Sequence, residues 1–302
     1  MSLISRLRGP GKSGFGYGST AADVTRGLDL SGQTFLVTGC NSGLGQETVR
    51  TLGAAGAHVV GAARTKEKAT AALAGLAHAT AVACELSEPD SVRTAVATVA
   101  AGPPLDGIIC NAGIMALPRL ERRHGLELQF LTNHIGHFML VTGLLDRLTS
   151  SGRVVMVSSN AHFRAPKEGI EFDNLDGAKR YNGWLNYGQS KLANILFANE
   201  LALRLPSGQT ANALHPGVIR TNLGRHLPAA MDAVFGLLVP LVLKSIPEGA
   251  ATQCYVATHP SLARVRGKYF ADCNLKAPSR HGRDPHLATR LWNETEAIVS
   301  RL

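Results

Sequence analysis

Residues 34–45 read Thr34-Phe35-Leu36-Val37-Thr38-Gly39-Cys40-Asn41-Ser42-Gly43-Leu44-Gly45. The first five are apolar or β-branched and predict a strand. The glycines that follow have separate uses. Gly39 permits a tight turn, Gly43 lets backbone approach a pyrophosphate, and Gly45 lets a helix pack closely on the strand. The amides around Asn41, Ser42 and Leu44 then face phosphate oxygens at a helix start. A glycine cluster alone marks only a turn. Here the strand before it and a helical pattern over 43–56 after it supply the context that a dinucleotide loop requires.

Outward from this loop, short apolar runs alternate with helical patterns. Further strands are expected at His58–Ala63, Ala79–Cys84, Gly107–Cys110, Arg153–Val157 and Thr210–Leu214. Helices are expected across about 66–77, 88–101, 121–150 and 182–205. Such alternation means repeated βαβ units. The expected fold class is α/β: a single doubly wound Rossmann-type domain, with a parallel sheet and helices on both faces. Residues 1–30, with glycine at 9, 11, 14, 16 and 18, read as an N-terminal arm, and 31–302 as the domain.

The second strand bears on which dinucleotide is bound. An NAD site usually places an acid about 20 residues past the glycines, on the ribose 2′-hydroxyl. His58–Ala63 contains no acid and runs into Arg64. A guanidinium there attracts a 2′-phosphate, and Lys68, one helical turn on, adds charge. The expected cofactor is NADP(H).

Tyr187-Gly188-Gln189-Ser190-Lys191 puts a phenol and an ammonium on one helix face. A neighbouring ammonium should lower the pKa of the phenol from its usual ~10. Of five tyrosines, only Tyr187 has a lysine four positions on. The strand Arg153–Val157 ends at Ser158-Ser159, on the sheet edge where active-site groups belong. A hydroxyl there can hold a substrate oxygen or simply cap a turn. Asn133 lies in an apolar helical run, so its amide needs partners, either structural or in a proton relay.

Composition narrows the classes. The chain has 302 residues, 45% apolar and 18% charged, which excludes disorder and a coiled coil. Its five cysteines are scattered and never form CxxC, so they read as thiols of a reducing, cytoplasmic compartment, with no zinc site or disulfide frame. The net charge of +9 favours an anionic partner such as a phosphorylated cofactor. Aromatics are only 5% and no long Lys/Arg run occurs, which speaks against nucleic acid. The apolar stretch Ala233–Leu243 carries Gly236 and Pro240 and is far short of the ~20 residues that span a bilayer. It leaves room for weak membrane-surface contact. Residues 223–243 are expected to form an apolar substrate lid, with ordinary core or dimer packing as the alternative. His134 and His137 lack an HExxH pattern and read as packed histidines, so no metal is expected. GxSxG and GxxxxGK[ST] are absent, which argues against serine hydrolysis and ATP use.

Together these residues resemble the short-chain dehydrogenase/reductase family, and specifically its retinol-dehydrogenase-like branch. TGCNSGLG is similar to the family's TGxxxGxG loop, and Cys110-Asn111-Ala112-Gly113 to its NNAG strand end. Asn133-His134-Ile135-Gly136-His137-Phe138, VSS at 157–159, YGQSKLAN from Tyr187, and His215-Pro216-Gly217 with Thr221 follow in the family's order. Gly267-Lys268-Tyr269-Phe270 and Arg290-Leu291-Trp292 resemble the branch's C-terminal part. The resemblance implies a catalytic tetrad of Asn133, Ser159, Tyr187 and Lys191, with Ser159 rather than Ser158. It also implies that Asn111, Ala112 and Gly113 pass beside the cofactor. Thr221, after Pro216-Gly217, would hold the carboxamide. Glu85-Leu86 would border the adenine, where the family usually has Asp-Leu. A homo-oligomer through helices around 121–150 and 182–205 is implied as well. The expected activity is hydride transfer between NADP(H) and a carbonyl or alcohol, on a small apolar substrate. The alternative is an NADP(H)-binding redox sensor or scaffold with little turnover.

Overall fold

The computed structural model describes residues 9–219 and 243–302. Five strands follow the alternating pattern: β1 (Thr34–Thr38), β2 (His58–Ala63), β3 (Ala79–Ala83), β4 (Leu105–Cys110) and, after a two-stranded hairpin of β5 (Arg122–Arg123) and β6 (Leu126–Glu127), β7 (Leu148–Val157). β8 (Thr210–His215), β9 (Tyr269–Ala271) and β10 (Asn274–Lys276) complete the main sheet. Its order is β10-β9-β8-β7-β4-β1-β2-β3. Every pairing is parallel except β10 with β9. The chain reverses its winding at β1, which pairs with β2 on one side and β4 on the other. That junction is where a doubly wound sheet opens a crevice for ligand.

Each central strand is apolar on both faces because helices cover both. Within β1, Leu36 joins one core while Phe35 and Val37 join the other, as the alternation of side chains along a strand requires. Among the described residues the α-helices are α1 (Ala21–Thr25), α2 (Gly43–Ala54), α3 (Lys66–Leu73), α4 (Pro89–Ala100), α5 (Leu128–Phe130), α6 (Gly136–Thr142), α7 (Gly183–Arg204), α8 (Ile246–Thr258) and α9 (Pro285–Val299). Side chains of α4, α7 and α9 share the Leu36 core, and those of α1, α2 and α8 the other. Proline at the starts of α4 and α9 suits a position whose N–H has no helical partner.

Three segments depart from the sequence expectation. No continuous helix fills 121–150. Positive φ at His124 and Gly125 turns the β5–β6 hairpin, and α5 passes through a π-helical turn, Leu131–Ile135, into α6. The strand β7 already begins at Leu148, within the stretch expected as helix. The segment 9–30 lacks a visible hydrophobic period, yet it carries α1, closed by a Thr20–Asp23 capping box, with Ala21 and Val24 buried. α8, α9, β9 and β10 lie in a part of the chain where no elements had been expected.

Candidate active site

The glycine loop opens on the crevice beside β1. Gly39 has φ +68°, and a Cβ there would stand 3.0 Å from the Ala112 Cα. At Gly45 a Cβ would run into the Gly39 carbonyl oxygen. Ser42 is the N-cap of α2 but makes no side-chain cap bond, so the first-turn amides keep no hydroxyl partner. Asn41 and Ser42 are exposed and Gly43 and Leu44 half-buried. A narrow glycine cradle ending in open helix amides fits a pyrophosphate. Arg64 follows β2, and Lys68 lies in the first turn of α3; both are exposed. Neither has an ion-pair partner among the described residues.

Thr38, which sequence reading passed over as a strand residue, organises the floor. Its Oγ1 accepts the amides of Asn111 and Ala112, each at 3.0 Å. It lies 2.9 Å from His137 Nε2, to which its hydroxyl donates. Asn111 Nδ2 also donates to the Thr38 carbonyl at 2.9 Å. These bonds carry Asn111–Gly113 alongside the glycine loop. A Cβ on Gly113 would stand 3.0 Å from Asn133 Oδ1 and 3.4 Å from Lys191 Nζ. Gln253 of α8, also missed, ties Thr48 of α2 to Asn111 Oδ1, the latter at 3.4 Å. No sequence spacing relates residue 253 to either.

Asn133 sits in the π-helical turn, wholly buried. Its Oδ1 accepts Ile114 N–H at 2.9 Å, and its Nδ2 donates to Ile114 O at 3.0 Å and Ser190 Oγ at 2.9 Å. Its carbonyl accepts from His137 Nδ1 at 2.9 Å. The amide therefore anchors the loop after β4. His134 packs among Phe130, Phe138 and Phe197 and meets Thr295 Oγ1 at 3.0 Å. Burial lowers both imidazoles, His134 to about 3 and His137 to about 4, so both are neutral.

The two serines after β7 have different surroundings. Ser158 is buried and donates to the Lys191 carbonyl at 2.6 Å, which staples β7 to α7. Ser159 is half-buried; its Oγ accepts Ala161 N–H at 3.1 Å, and its hydroxyl draws the pKa of the neighbouring Tyr187 phenol down. Tyr187 and Lys191 lie on the inward face of α7, 4% and 3% exposed. The Lys191 Nζ is 5.8 Å from the Tyr187 ring centroid and donates to Val157 O at 3.0 Å.

The electrostatics overturn one expectation. Burial pushes the Tyr187 phenol up to about 12, with the Ser159 hydroxyl pulling the other way. Lys191 does not lower it. The ammonium is itself disfavoured by burial, to about 8. Desolvation dominates at both groups because both are enclosed by protein. Tyr187 thus holds its proton at neutral pH.

After β3, Glu85 Oε1 accepts from Ser87 Oγ at 2.9 Å and Ser87 N–H at 3.2 Å, and Leu86 is buried. Pro216 is buried and Gly217 has φ +104°, with the Lys244 side chain packed against it. Thr221 lies outside the described residues, as does all of the expected lid 223–243 but Leu243.

A doubly wound sheet with a nucleotide cradle at its switch point, facing a Ser–Tyr–Lys set across β7 and α7, defines a Rossmann-type oxidoreductase. Comparison with known proteins narrows this class. The family model for short chain dehydrogenase matches residues 33–172. Short-chain dehydrogenase TIC 32 A, chloroplastic, from Brassica napus is 43% identical, over 97% of this chain and 96% of that one. Human retinol dehydrogenase 14 is 38% identical, over 90% of this chain and 88% of its own. A short chain dehydrogenase from Burkholderia cenocepacia, solved in complex with NADP, superposes with TM-score 0.64 at 28% identity, covering 80% of this chain and 96% of that one. The chain belongs to the short-chain dehydrogenase/reductase family and resembles the retinol dehydrogenases within it.

Proposed function

We propose that the protein is an NADP(H)-dependent oxidoreductase that interconverts an apolar aldehyde or ketone with its alcohol. Gly39, Asn41, Ser42, Gly43, Leu44 and Gly45 would hold the pyrophosphate, and Arg64 with Lys68 the 2′-phosphate. Glu85 and Leu86 would border the adenine. Asn111, Ala112, Gly113, Lys191, Pro216, Gly217 and Thr221 would line the nicotinamide half. When bound, NADPH supplies the hydride. Ser159 and Tyr187 donate hydrogen bonds to the substrate carbonyl oxygen, and Tyr187 delivers the proton as that oxygen becomes a hydroxyl. Lys191, held by the Val157 carbonyl, would bind the nicotinamide ribose. In oxidation Tyr187 works in reverse as the base. Asn133 acts from behind, by holding the Ile114 backbone and Ser190.

The observation that carries this reading is Tyr187: buried, with the Ser159 hydroxyl acting on its phenol, and protonated at neutral pH. A scaffold that only senses the dinucleotide has no use for it. The apolar substrate is supported by the composition of Ala233–Leu243 and by the name of the human relative. Five free, buried cysteines support a reducing compartment such as the cytoplasm; "chloroplastic" describes the Brassica relative. No helix among the described residues is long and apolar enough to cross a membrane. A homo-oligomer stays part of the proposal, with α7 as one contact.

The test is NADPH consumption with a panel of aldehydes and ketones, the products identified. Tyr187→Phe should lose about 10²–10⁴-fold in turnover, the usual worth of a positioned acid, while NADPH binding followed by fluorescence stays close to wild type. Near-normal turnover in that variant would sink the assignment.

A further inference from the structure

Two buried histidines meet the same peptide group. The unit joining Ser159 to Asn160 presents a carbonyl on one side and an N–H on the other. The Ser159 carbonyl lies 2.6 Å from His162 Nδ1 and also accepts the His162 amide at 3.1 Å. The Asn160 N–H donates to His215 Nδ1 at 3.3 Å. His162 Nε2 in turn accepts Ser279 N–H at 3.0 Å. His162 is 1% exposed and His215 7%. They come from different elements: a 3-10 turn, Asn160–Arg164, and the end of β8.

These partners settle the tautomers. A carbonyl only accepts, so His162 carries its proton on Nδ1. A backbone N–H only donates, so His215 has a bare Nδ1 and its proton on Nε2. The same atom type plays opposite roles on the two faces of one peptide. Burial favours the neutral rings this needs and lowers both pKa values, His215 to about 4.

We propose, resting on Ser159 as the substrate's hydrogen-bond donor, that His162 and His215 form a clamp that orients the peptide after Ser159 and so aims its hydroxyl. They are positioning residues. Neither needs to touch substrate. Ser159 is extended, at φ −158° and ψ 157°, just before the chain turns into the 3-10 segment. Rotation of its following peptide moves the Ala161 N–H, and with it the hydrogen bond that holds the Oγ. Through Ser279 the clamp also links the serine to the loop before α9.

Two measurements test this. Nitrogen-15 NMR of the whole protein at neutral pH should show His162 as the Nδ1–H tautomer and His215 as the Nε2–H tautomer. The same tautomer in both overturns the clamp, whether or not the protein turns over any substrate. In kinetics, His162→Phe and His215→Phe should each lower kcat by about 10–100-fold, the scale of a misplaced catalytic group, with KM for NADPH within about twofold by the same reasoning. Asn at either position can still bond the peptide, and should recover most of the rate. In a Ser159→Ala background, His162→Phe should lower the residual rate no further. Wild-type kcat in the Phe variants overturns the proposal. So does failure of the Asn variants to recover, or a full additional loss without the serine hydroxyl, since packing alone would then explain the effect.

Discussion

Lys191 is held where a lysine is least comfortable. It is buried, its pKa is lowered to about 8, and its ammonium has one neutral carbonyl as hydrogen-bond partner. The charged form is therefore disfavoured in the folded chain relative to the unfolded one, where a lysine titrates near 10.5. That cost is complete below about pH 8 and fades as pH rises toward 10.5. Lys191→Met should abolish turnover yet raise Tm at pH 7, by about 2–4 °C per kcal/mol recovered. Val157 O keeps a donor from Asn194 Nδ2 at 3.3 Å, so no buried acceptor is orphaned. Calorimetry at pH 7 and pH 10 checks the sign: the Tm gain should shrink at the higher pH. Unchanged or lowered Tm at pH 7 would show that the ammonium is stabilising. Arg64 poses the opposite case, an exposed cation with no ion-pair partner among the described residues. Hydrogen bonds to charged groups contribute roughly 1.5–3 kcal/mol. Arg64→Asp should therefore cut the NADPH-over-NADH preference by about one to two orders of magnitude, and further with Lys68→Ala. The measurement is kcat/KM with both cofactors, and an unmoved ratio would remove Arg64 from the phosphate site.

At the scale of the element, α7 carries Tyr187 about one turn and Lys191 about two turns from its start. Asn182 caps it, with Oδ1 accepting the amides of Trp184 at 3.0 Å and Leu185 at 3.1 Å. Fraying of that turn would displace the phenol. Asn182→Ala should cost about 0.5–2 kcal/mol of stability and lower kcat more than KM for NADPH. A normal kcat with lowered Tm would show that tertiary packing alone fixes Tyr187. The i, i+4 spacing and the apolar face made this helix legible from sequence. The 121–150 segment was not legible: the hairpin strands, two residues each, carry no alternation, and Leu131–Ile135 and α6 are buried alike, so nothing local marks the π-turn between them.

At the scale of the molecule, residues 9–30 are built into the fold. Phe15 packs edge-on against Tyr255 and His259, each at 5.6 Å between centroids. Asn274 beyond β9 bonds the backbone of Ser13 and Phe15, at 3.1 and 2.9 Å. Ala21 and Val24 lie in the core that α8 also fills. Removing residues 1–27 should lower stability by more than the about 1.5–3 kcal/mol of one buried aliphatic side chain. Thermal unfolding followed by circular dichroism would show a clear drop in Tm. An unchanged Tm would make the segment a passive appendage after all.

The glycine loop, the Tyr–Lys spacing, the acid-free second strand and the β–α alternation were all readable in the chain. Each is a local feature in which neighbouring residues meet through a turn, a helix face or a strand repeat. The family follows from their order. What only the folded structure decided depends on residues far apart in sequence: Thr38 gathering Asn111, Ala112 and His137, Gln253 bracing the cradle, and Ser158 stapled to α7 while Ser159 faces Tyr187. The direction of the Tyr187 shift belongs with these. Charge proximity can be read from spacing, but desolvation is set by how much protein encloses the pair, and that enclosure exists only when the sheet and its helices have closed around it.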